Sequence, residues 1–444
     1  MARVVVVGGG FAGAASAARL AKLGHEVVLL ERAERLGGAL ERVELDGFAW
    51  DGGPAAVTMP AVVRDLWRKS GRPLEREVDL VAQEVVAEHR FEDRTTLLHR
   101  GGSRAAQIEA LDGLRPGLGQ QWVDHVQSFA EVWEALRRDL YERPFSPDLA
   151  SRTTLDALRS RRTLHKELKR AFRDRRLQQL AAYPFVLAGH DPRGVPAWAG
   201  LHAYLEQRFG TWTVPQEVGG LSHLADALAE RLATRRVEVR TGTTARDLVL
   251  RGGRVVAVRT DAGEVDADAV VVAVDPRRLP ALRDHVAATM PAIPPVVAHL
   301  GLHAEDGAAL PDLGADEVVL HGDPLLVVRR AGTAPADLPG AQAWTVLARG
   351  KIAEDLVLAL ARRGLKVRQH VVARVDRSPR ELVEHWGGSP LGVRWQGRAT
   401  TGRLLGPRTP VPGVYAAGAH TTTGLGLPFS GLSAALVADA VGPA

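Results

Sequence analysis

The chain has 444 residues, of which 45% are hydrophobic, 25% charged and 5% aromatic, a composition that excludes disordered and fibrous proteins. The absence of cysteine excludes disulfides, thiolate metal sites and cysteine nucleophiles, and it leaves any redox chemistry to a bound cofactor. Lysine and arginine exceed aspartate and glutamate only by 57 to 52, so we predict no nucleic-acid partner.

The N-terminal segment predicts a strand, a glycine-rich turn, a helix and a second strand. Residues 3–7 form a continuous apolar run, as a parallel strand buried on both faces requires. Small apolar residues then keep helical spacing up to Lys22, and a second apolar run follows at residues 26–30. This order is typical of the first unit of a doubly wound α/β domain.

The turn in this unit carries the spacing Gly8-x-Gly10-x-x-Gly13, and Glu31 follows about twenty residues later, at the end of the second strand. Gly8 permits the tight turn, Gly10 lets the backbone approach a pyrophosphate, and Gly13 lets the helix meet the strand. Glu31 is placed to accept ribose hydroxyls. The segment therefore predicts a dinucleotide-binding site.

Further elements follow from hydrophobic periodicity. The predicted helices are residues 108–180 (with breaks at prolines), 221–232, 352–363, 379–386 and 430–441. The predicted strands are residues 237–241, 245–250, 255–260, 269–274, 296–302, 325–329, 343–347, 367–374 and 414–417.

This order of elements predicts an α/β protein with a discontinuous Rossmann-type domain and an inserted α+β substrate domain that includes a helical region. The predicted pieces of the dinucleotide domain are residues 1–80, 219–285 and 395–444, and those of the substrate domain are residues 81–218 (mainly helical) and 286–394 (α+β).

Several stretches resemble the flavoprotein amine-oxidase and desaturase superfamily, and phytoene-desaturase-type enzymes in particular. They are the Gly37-Gly38 pair shortly after Glu31, the Gly-Phe-Ala-Trp-Asp-Gly-Gly-Pro run at residues 47–54, residues 205–221, and the closing strand and Gly-x-Gly-x-Pro loop at residues 413–428. The resemblance implies noncovalently bound FAD. It also implies transfer of a hydride from a substrate C–H to flavin N5.

The resemblance also implies which residues contact FAD, with Ala245 acting on the adenine through its backbone. The implied cofactor-binding residues are Gly8, Gly10, Phe11, Ala12, Gly13, Glu31, Arg32, Gly37, Gly38, Gly52, Gly53, Pro54, Ala245, Gly418, Ala419, Leu427, Pro428, Phe429 and Ser430. No metal site is predicted.

The loop before the Gly-x-Gly-x-Pro motif contains the candidate catalytic residue. Carotenoid enzymes usually have Thr-His-Pro there, whereas this chain has His420 followed by three threonines. A histidine has an ordinary pKa near 6.5 and suits a general base near neutral pH. His420 is therefore the predicted base, and a purely structural hydrogen bond is the alternative.

The resemblance implies a lipophilic, carotenoid- or other lipid-like substrate, with O2 or a quinone as electron acceptor. A flavin amine oxidase acting on another small molecule and a non-catalytic lipid-binding escort protein of the same fold are the alternatives. Residues 155–180 are basic and amphipathic, which indicates either peripheral membrane contact or a solvated helical face. We expect a cytoplasmic protein, with attachment to a membrane surface as an option.

Overall fold

The computed structural model describes residues 1–304, 309–421 and 423–444. The strands are β1 Arg3–Val7, β2 Glu26–Leu30, β3 Arg42–Leu45, β4 Phe48–Asp51, β5 Val57–Thr58, β6 Val81–Ala82, β7 Val85–Arg90, β8 Thr96–Arg100, β9 Thr211–Thr213, β10 Glu238–Arg240, β11 Ala245–Arg251, β12 Arg254–Thr260, β13 Gly263–Asp266, β14 Ala269–Val272, β15 Val296–Leu302, β16 Glu317–Leu320, β17 Leu325–Arg329, β18 Gly332–Thr333, β19 Gln342–Arg349, β20 Val371–Arg377 and β21 Val414–Ala416. The α-helices are α1 Phe11–Lys22, α2 Pro60–Ser70, α3 Arg104–Asp112, α4 Leu118–Gln127, α5 Ala130–Leu136, α6 Arg152–Arg159, α7 Leu164–Ala171, α8 Arg175–Leu187, α9 Leu201–Phe209, α10 His223–Thr234, α11 Pro280–Arg283, α12 Leu356–Arg362, α13 Pro379–Trp386 and α14 Leu427–Val441.

A five-stranded parallel sheet joins segments that lie far apart in the sequence, in the order β10-β2-β1-β14-β21. Helices α1, α10 and α14 pack on one face of it through fully buried leucine, valine and alanine side chains. The antiparallel meander of β11, β12 and β13 covers the other face. This is the predicted discontinuous Rossmann-type architecture, and the α/β fold class is confirmed.

A second sheet has seven strands, in the order β20-β15-β19-β17-β16-β7-β8. Two of its strands, β7 and β8, come from the part of the chain predicted to be mainly helical. They pair with each other in antiparallel register, and β7 pairs with β16 in parallel register. Residues 85–100 therefore extend the sheet and do not belong to the helical region.

The helical region, α3 to α9, packs around a core of aromatic side chains such as Trp122 and Phe172. The basic stretch of residues 155–180 is not a single helix, because α6, α7 and α8 divide it. Leu164, Leu168 and Phe172 are buried in this core, whereas Leu155 and Leu158 are half-buried, so most of the apolar side of the stretch faces inward. Within the described ranges, no helix is both long and apolar enough to cross a membrane.

A buried carboxylate ties the end of β4 to the segment that leads into α10. Asp51 is 5% exposed, and its two oxygens accept hydrogen bonds from the backbone N–H groups of Leu221 (3.1 Å) and Ser222 (2.9 Å). The side-chain amide of Gln216 donates a third, at 3.3 Å. The Asp-Gly-Gly-Pro run and the Gly219-Gly220 pair, which are far apart in sequence, are joined by this single side chain.

We expect Asp51→Ala to lower the free energy of unfolding by about 2–3 kcal/mol, because two buried N–H donors lose an ionised acceptor. Asp51→Asn keeps one acceptor oxygen and should lose less. Urea denaturation followed by tryptophan fluorescence measures both values. Equal denaturation midpoints for wild type and Asp51→Ala would contradict this role.

Candidate functional site

The glycine-rich turn between β1 and α1 is tightly packed at Gly8 and Gly13 and less tightly packed at Gly10. A Cβ on Gly13 would collide with the carbonyl oxygen of Gly8, and Gly8 itself has a φ of +100°. A Cβ on Gly10 would meet no heavy atom closer than 3.9 Å, at Gly38 Cα, which is an ordinary van der Waals contact. The chain's own packing therefore requires glycine at positions 8 and 13 but not at position 10.

Helix α1 begins at Gly10 with unsatisfied backbone donors. Its N-cap is Gly10, which offers no side-chain cap, and its first turn contains no acidic residue. The N-terminus of a helix presents free N–H groups and a partial positive charge to an anion. The start of α1 at Gly10 therefore fits a pyrophosphate.

Glu31 lies at the edge of the turn with its carboxylate held in place. Oε2 accepts from the N–H of Gly9 at 2.6 Å, and Oε1 accepts from the N–H of Ala33 at 2.8 Å. Each oxygen retains a lone pair for a further donor. The backbone N–H of Thr243, two residues before Ala245, donates to the Glu31 carbonyl, so the segment predicted to contact adenine lies beside the acid predicted to hold ribose.

The second glycine pair packs directly on the turn. The N–H of Gly37 donates to the Gly9 carbonyl at 3.0 Å, and a Cβ on Gly38 would lie 3.1 Å from Gly10 Cα. Arg32, in contrast, extends away from the turn, and its guanidinium donates to the Glu384 carbonyl at the end of α13. Gly37 and Gly38 are thus part of the same cradle, and the Arg32 side chain faces another element.

Gly52 and Gly53 pack closely against the backbone segment at Ala39 and Glu41. A Cβ on Gly53 would collide with the Ala39 carbonyl oxygen, and one on Gly52 would lie 2.7 Å from Glu41 Cγ. The close packing of two backbone segments thus explains why Pro54 is preceded by two residues without side chains. Their predicted contact with the isoalloxazine ring stays a prediction.

The C-terminal segment returns to the turn from the other side. A Cβ on Gly418 would lie 3.2 Å from the Cβ of Ala12, and the Gly418 N–H donates to Ser433 Oγ at 2.8 Å. Helix α14 then begins at Leu427 with Gly426 as its N-cap, no side-chain cap and no acid in its first turn. Two uncapped helix N-termini, those of α1 and α14, therefore flank the region predicted to hold FAD.

A small, largely apolar cavity of about 10 Å³ adjoins the loop before α14. Its lining residues are Tyr141, Phe185, Trp198, Ala199, Leu201, His202, Leu205, Trp395, Thr423, Gly424, Leu425 and Phe429. The rings of Trp198 and Trp395 meet edge to face at 5.5 Å, and the Tyr141 hydroxyl lies 3.1 Å from Thr423 Oγ1. This side of the site suits an apolar ligand.

His420 is 7% exposed and connects the C-terminal loop to the segment after α13. Its Nε2 lies 2.9 Å from the Ser389 carbonyl oxygen and donates to it, while Nδ1 lies 4.0 Å from Asp275 Oδ1. Burial lowers the pKa of His420, and the Asp275 carboxylate opposes that shift. The imidazole is thus neutral near pH 7, with an unprotonated Nδ1. The neighbouring Thr422 lies outside the described residues.

The cradle fits the FAD that the sequence implies. Gly10 to Gly13 and the start of α1 would hold the diphosphate, Glu31 the ribose, and Gly418 with the first turn of α14 the flavin end. We expect acid precipitation to release all of the flavin, because the chain has no cysteine and no histidine in a recognisable flavin-linking motif.

Gly10 and Gly13 provide a matched pair of variants for this cradle. We expect Gly10→Val to fold with unchanged stability in the absence of flavin but to lose FAD, because its side chain occupies the phosphate space. We expect Gly13→Ala to lower the melting temperature of the apoprotein, because its Cβ meets backbone. Flavin absorbance per chain and thermal unfolding separate the two effects. A Gly10→Val protein with wild-type flavin content would refute the assignment.

Sequence comparison with known proteins identifies the family of the chain. The profile of the family described as flavin containing amine oxidoreductase matches residues 11–302. A zeta-carotene-forming phytoene desaturase of Myxococcus xanthus is 31% identical over 282 residues, which is 62% of this chain and 53% of that protein. A hydroxyneurosporene desaturase of Cereibacter sphaeroides is 32% identical over 292 residues, 62% of this chain and 57% of that protein. The chain thus spans little more than half the length of these relatives.

Solved structures share the fold along nearly the whole chain. A redesigned putrescine oxidase superposes with a TM-score of 0.70 at 15% identity, covering 99% of this chain and 98% of its own. Cyclohexylamine oxidase from Brevibacterium oxydans gives a TM-score of 0.66 at 15% identity, covering 99% of both chains. The cofactor is FAD. The chain belongs to the flavin containing amine oxidoreductase family.

Proposed function

We propose that this protein is an FAD-dependent desaturase or dehydrogenase that acts on a largely apolar, polyene-like substrate. The observation that carries the proposal is the mainly apolar and aromatic lining of the small cavity beside the Gly-x-Gly-x-Pro loop, which includes few hydrogen-bonding groups. The names of the relatives, which are carotenoid desaturases, support the same substrate class.

Bound FAD supplies an acceptor for hydride from a substrate C–H bond. The chain's own residues bind and orient the substrate, and they exclude water from it. Trp198, Trp395 and Phe429 line the cavity with apolar surface that would contact a hydrocarbon and keep water from the reacting bond. The uncapped N-terminus of α14 places partial positive charge toward the region assigned to the flavin, where it favours negative charge.

In this proposal, His420 takes the proton that the substrate loses. Its neutral imidazole has an unprotonated Nδ1, and Asp275 lies close enough to stabilise the imidazolium that forms. O2 or a quinone then takes the electrons. Membrane contact through residues 155–180 would be electrostatic in this arrangement, because the apolar side of those helices is buried in the core.

Anaerobic mixing of the flavin-loaded protein with candidate substrates tests the function. We expect a polyene such as neurosporene, delivered in detergent micelles, to bleach the flavin absorbance. A panel of primary and secondary amines is the control and should not do so. Bleaching by amines alone would assign the protein to the amine oxidases instead. A colourless preparation that binds polyene stoichiometrically would assign it to the lipid-binding escort proteins.

We expect His420→Gln to retain FAD, because glutamine can donate to the Ser389 carbonyl, but to slow anaerobic flavin reduction by at least about tenfold. The wild-type rate should rise as pH increases through the acidic range below the ordinary histidine value, since the base must be unprotonated. The variant should lack that rise. An unchanged rate and pH profile would restrict His420 to holding the loop.

A further inference from the structure

One exposed segment of the chain is apolar and uncharged, and it is called the apolar tip below. It consists of residues 287–293, which lie between α11 and β15, and its sequence is Ala-Ala-Thr-Met-Pro-Ala-Ile. Five of these seven residues are exposed, among them Met290 (49%) and Ile293 (55%). A contiguous exposed apolar surface, unlike a single apolar side chain, marks a place where another apolar surface makes contact.

The backbone of the apolar tip is fixed to the segment that follows α13. The Met290 carbonyl oxygen accepts from the N–H of Arg394 at 2.7 Å, and the N–H of Ala292 donates to the Gly392 carbonyl oxygen at 2.8 Å. Three prolines, at positions 291, 294 and 295, restrict the backbone further. Because this segment is already ordered, binding a partner here costs little conformational entropy.

Arginines border the apolar tip at both of its ends. Arg403 Nη1 donates to the Ala288 carbonyl oxygen at 3.3 Å, and Arg349 Nη2 donates to the Ile293 carbonyl oxygen at 2.6 Å. Arg394 belongs to the segment to which the tip is bonded. None of these three arginines forms an ion pair with a carboxylate of the described residues. Burial without a counter-charge lowers the pKa of Arg349 to about 10. Their positive charge therefore stands unneutralised beside the tip.

The cationic surface extends beyond these three residues. Arg398 is exposed, and its Nη1 donates to the last backbone carbonyl of α6 at 2.8 Å. The sequence contains no acidic residue between Glu384 and Asp439, so the segment that supports the tip carries no compensating charge of its own. Within residues 155–180, in contrast, Glu167 forms ion pairs with two arginines and neutralises part of the charge.

This combination of charge and apolar surface matches a lipid bilayer. The surface of a bilayer that contains anionic lipids presents phosphate groups above an apolar interior, and an apolar segment bordered by arginines satisfies both layers. A second copy of this chain would instead bring unneutralised arginines against unneutralised arginines. Charge complementarity therefore selects an anionic bilayer as the partner.

The apolar tip adjoins residues that line the candidate site. Pro291 forms a β-bridge with Val393, and Val393 and Trp395 line a second small cavity beside the C-terminal loop. Trp395 also lines the apolar cavity beside the Gly-x-Gly-x-Pro loop. A bilayer held at the tip would thus lie against a segment that forms one wall of the site.

We infer that the apolar tip and the arginines that border it form a docking surface for an anionic lipid bilayer. Met290 and Ile293 enter the boundary between headgroups and acyl chains, and the arginines contact phosphate groups. The inference goes beyond the proposed function and does not depend on it, because docking requires neither a substrate nor hydride transfer.

Sedimentation with lipid vesicles tests this surface. The flavin-loaded protein is mixed with vesicles of phosphatidylcholine alone, or of phosphatidylcholine and phosphatidylglycerol in equal amounts, and the bound fraction is measured in the pellet. We expect stronger binding to the mixed vesicles and a loss of that preference at high salt, because salt screens the attraction between exposed charges. Equal binding to both kinds of vesicle, or binding to neither, would overturn the inference and leave the proposed function standing.

Variants of the tip and of its arginines separate the apolar from the electrostatic contribution. We expect the double variant Met290→Ser, Ile293→Ser to bind the mixed vesicles at least about tenfold more weakly, because two apolar side chains no longer leave water. Arg394→Gln should weaken binding to the mixed vesicles about fivefold and leave binding to phosphatidylcholine unchanged. The controls are Val218→Ser, at a position before α10 that is as exposed as Ile293, and Arg251→Gln, at an exposed position on β11. Both should match wild type.

Flavin absorbance and the melting temperature show that each variant is folded. A tip variant that binds the mixed vesicles as wild type does would overturn the inference. Loss of binding in the double variant Lys166→Gln, Lys169→Gln, with binding retained in the tip variant, would assign the bilayer contact to residues 155–180 and would overturn it as well.

Discussion

The site depends on the contact between Gly13 and the carbonyl of Gly8, which lets α1 start immediately at the end of β1. Any side chain at Gly13 would push the helix away from the sheet. With the helix in place, its free N–H groups lie at Gly10, where the diphosphate is assigned, Gly37 bonds back to the turn, and Gly418 packs against Ala12. The cradle is therefore assembled from three distant segments that all require the same close approach of backbone.

The sequence predicts the parts of this arrangement whose residues lie close together along the chain. The βαβ unit shows its strand run, glycine spacing and acid within a short stretch, and the closing strand with its helix is equally compact. The sequence pattern does not predict the paired strands β7 and β8, because their alternation is interrupted by polar residues such as Glu88 and His89, both of which are buried. The antiparallel pairing of β7 with β8 and the parallel pairing of β7 with β16, more than two hundred residues later, stabilise them as strands.

The same distinction separates the cofactor site from the contacts between the helical region and the sheet. In the sequence, Asp51 stands out only as part of a motif that resembles a known family. In the structure its role is physical, because its carboxylate accepts hydrogen bonds from the backbone N–H groups of Leu221 and Ser222. His99 and Glu206 have no such motif. They belong to a strand and a helix that are distant in the chain and meet only when the helical region closes over the sheet. No local pattern indicates that a buried acid and a buried imidazole will face each other.

Under the proposed function, the site would hold its cofactor and its substrate by different kinds of contact. Trp198, Trp395 and Phe429 gain from any apolar surface that excludes water, so their contribution to affinity would grow with the buried area and depend little on where a molecule lies against them. The helix N-termini and Glu31 act instead through hydrogen bonds, which are directional and which a displacement of a few tenths of an ångström weakens. Polar contacts would thus fix the position of the cofactor, whereas apolar contacts alone would leave a long, repetitive hydrocarbon free to shift along its own length.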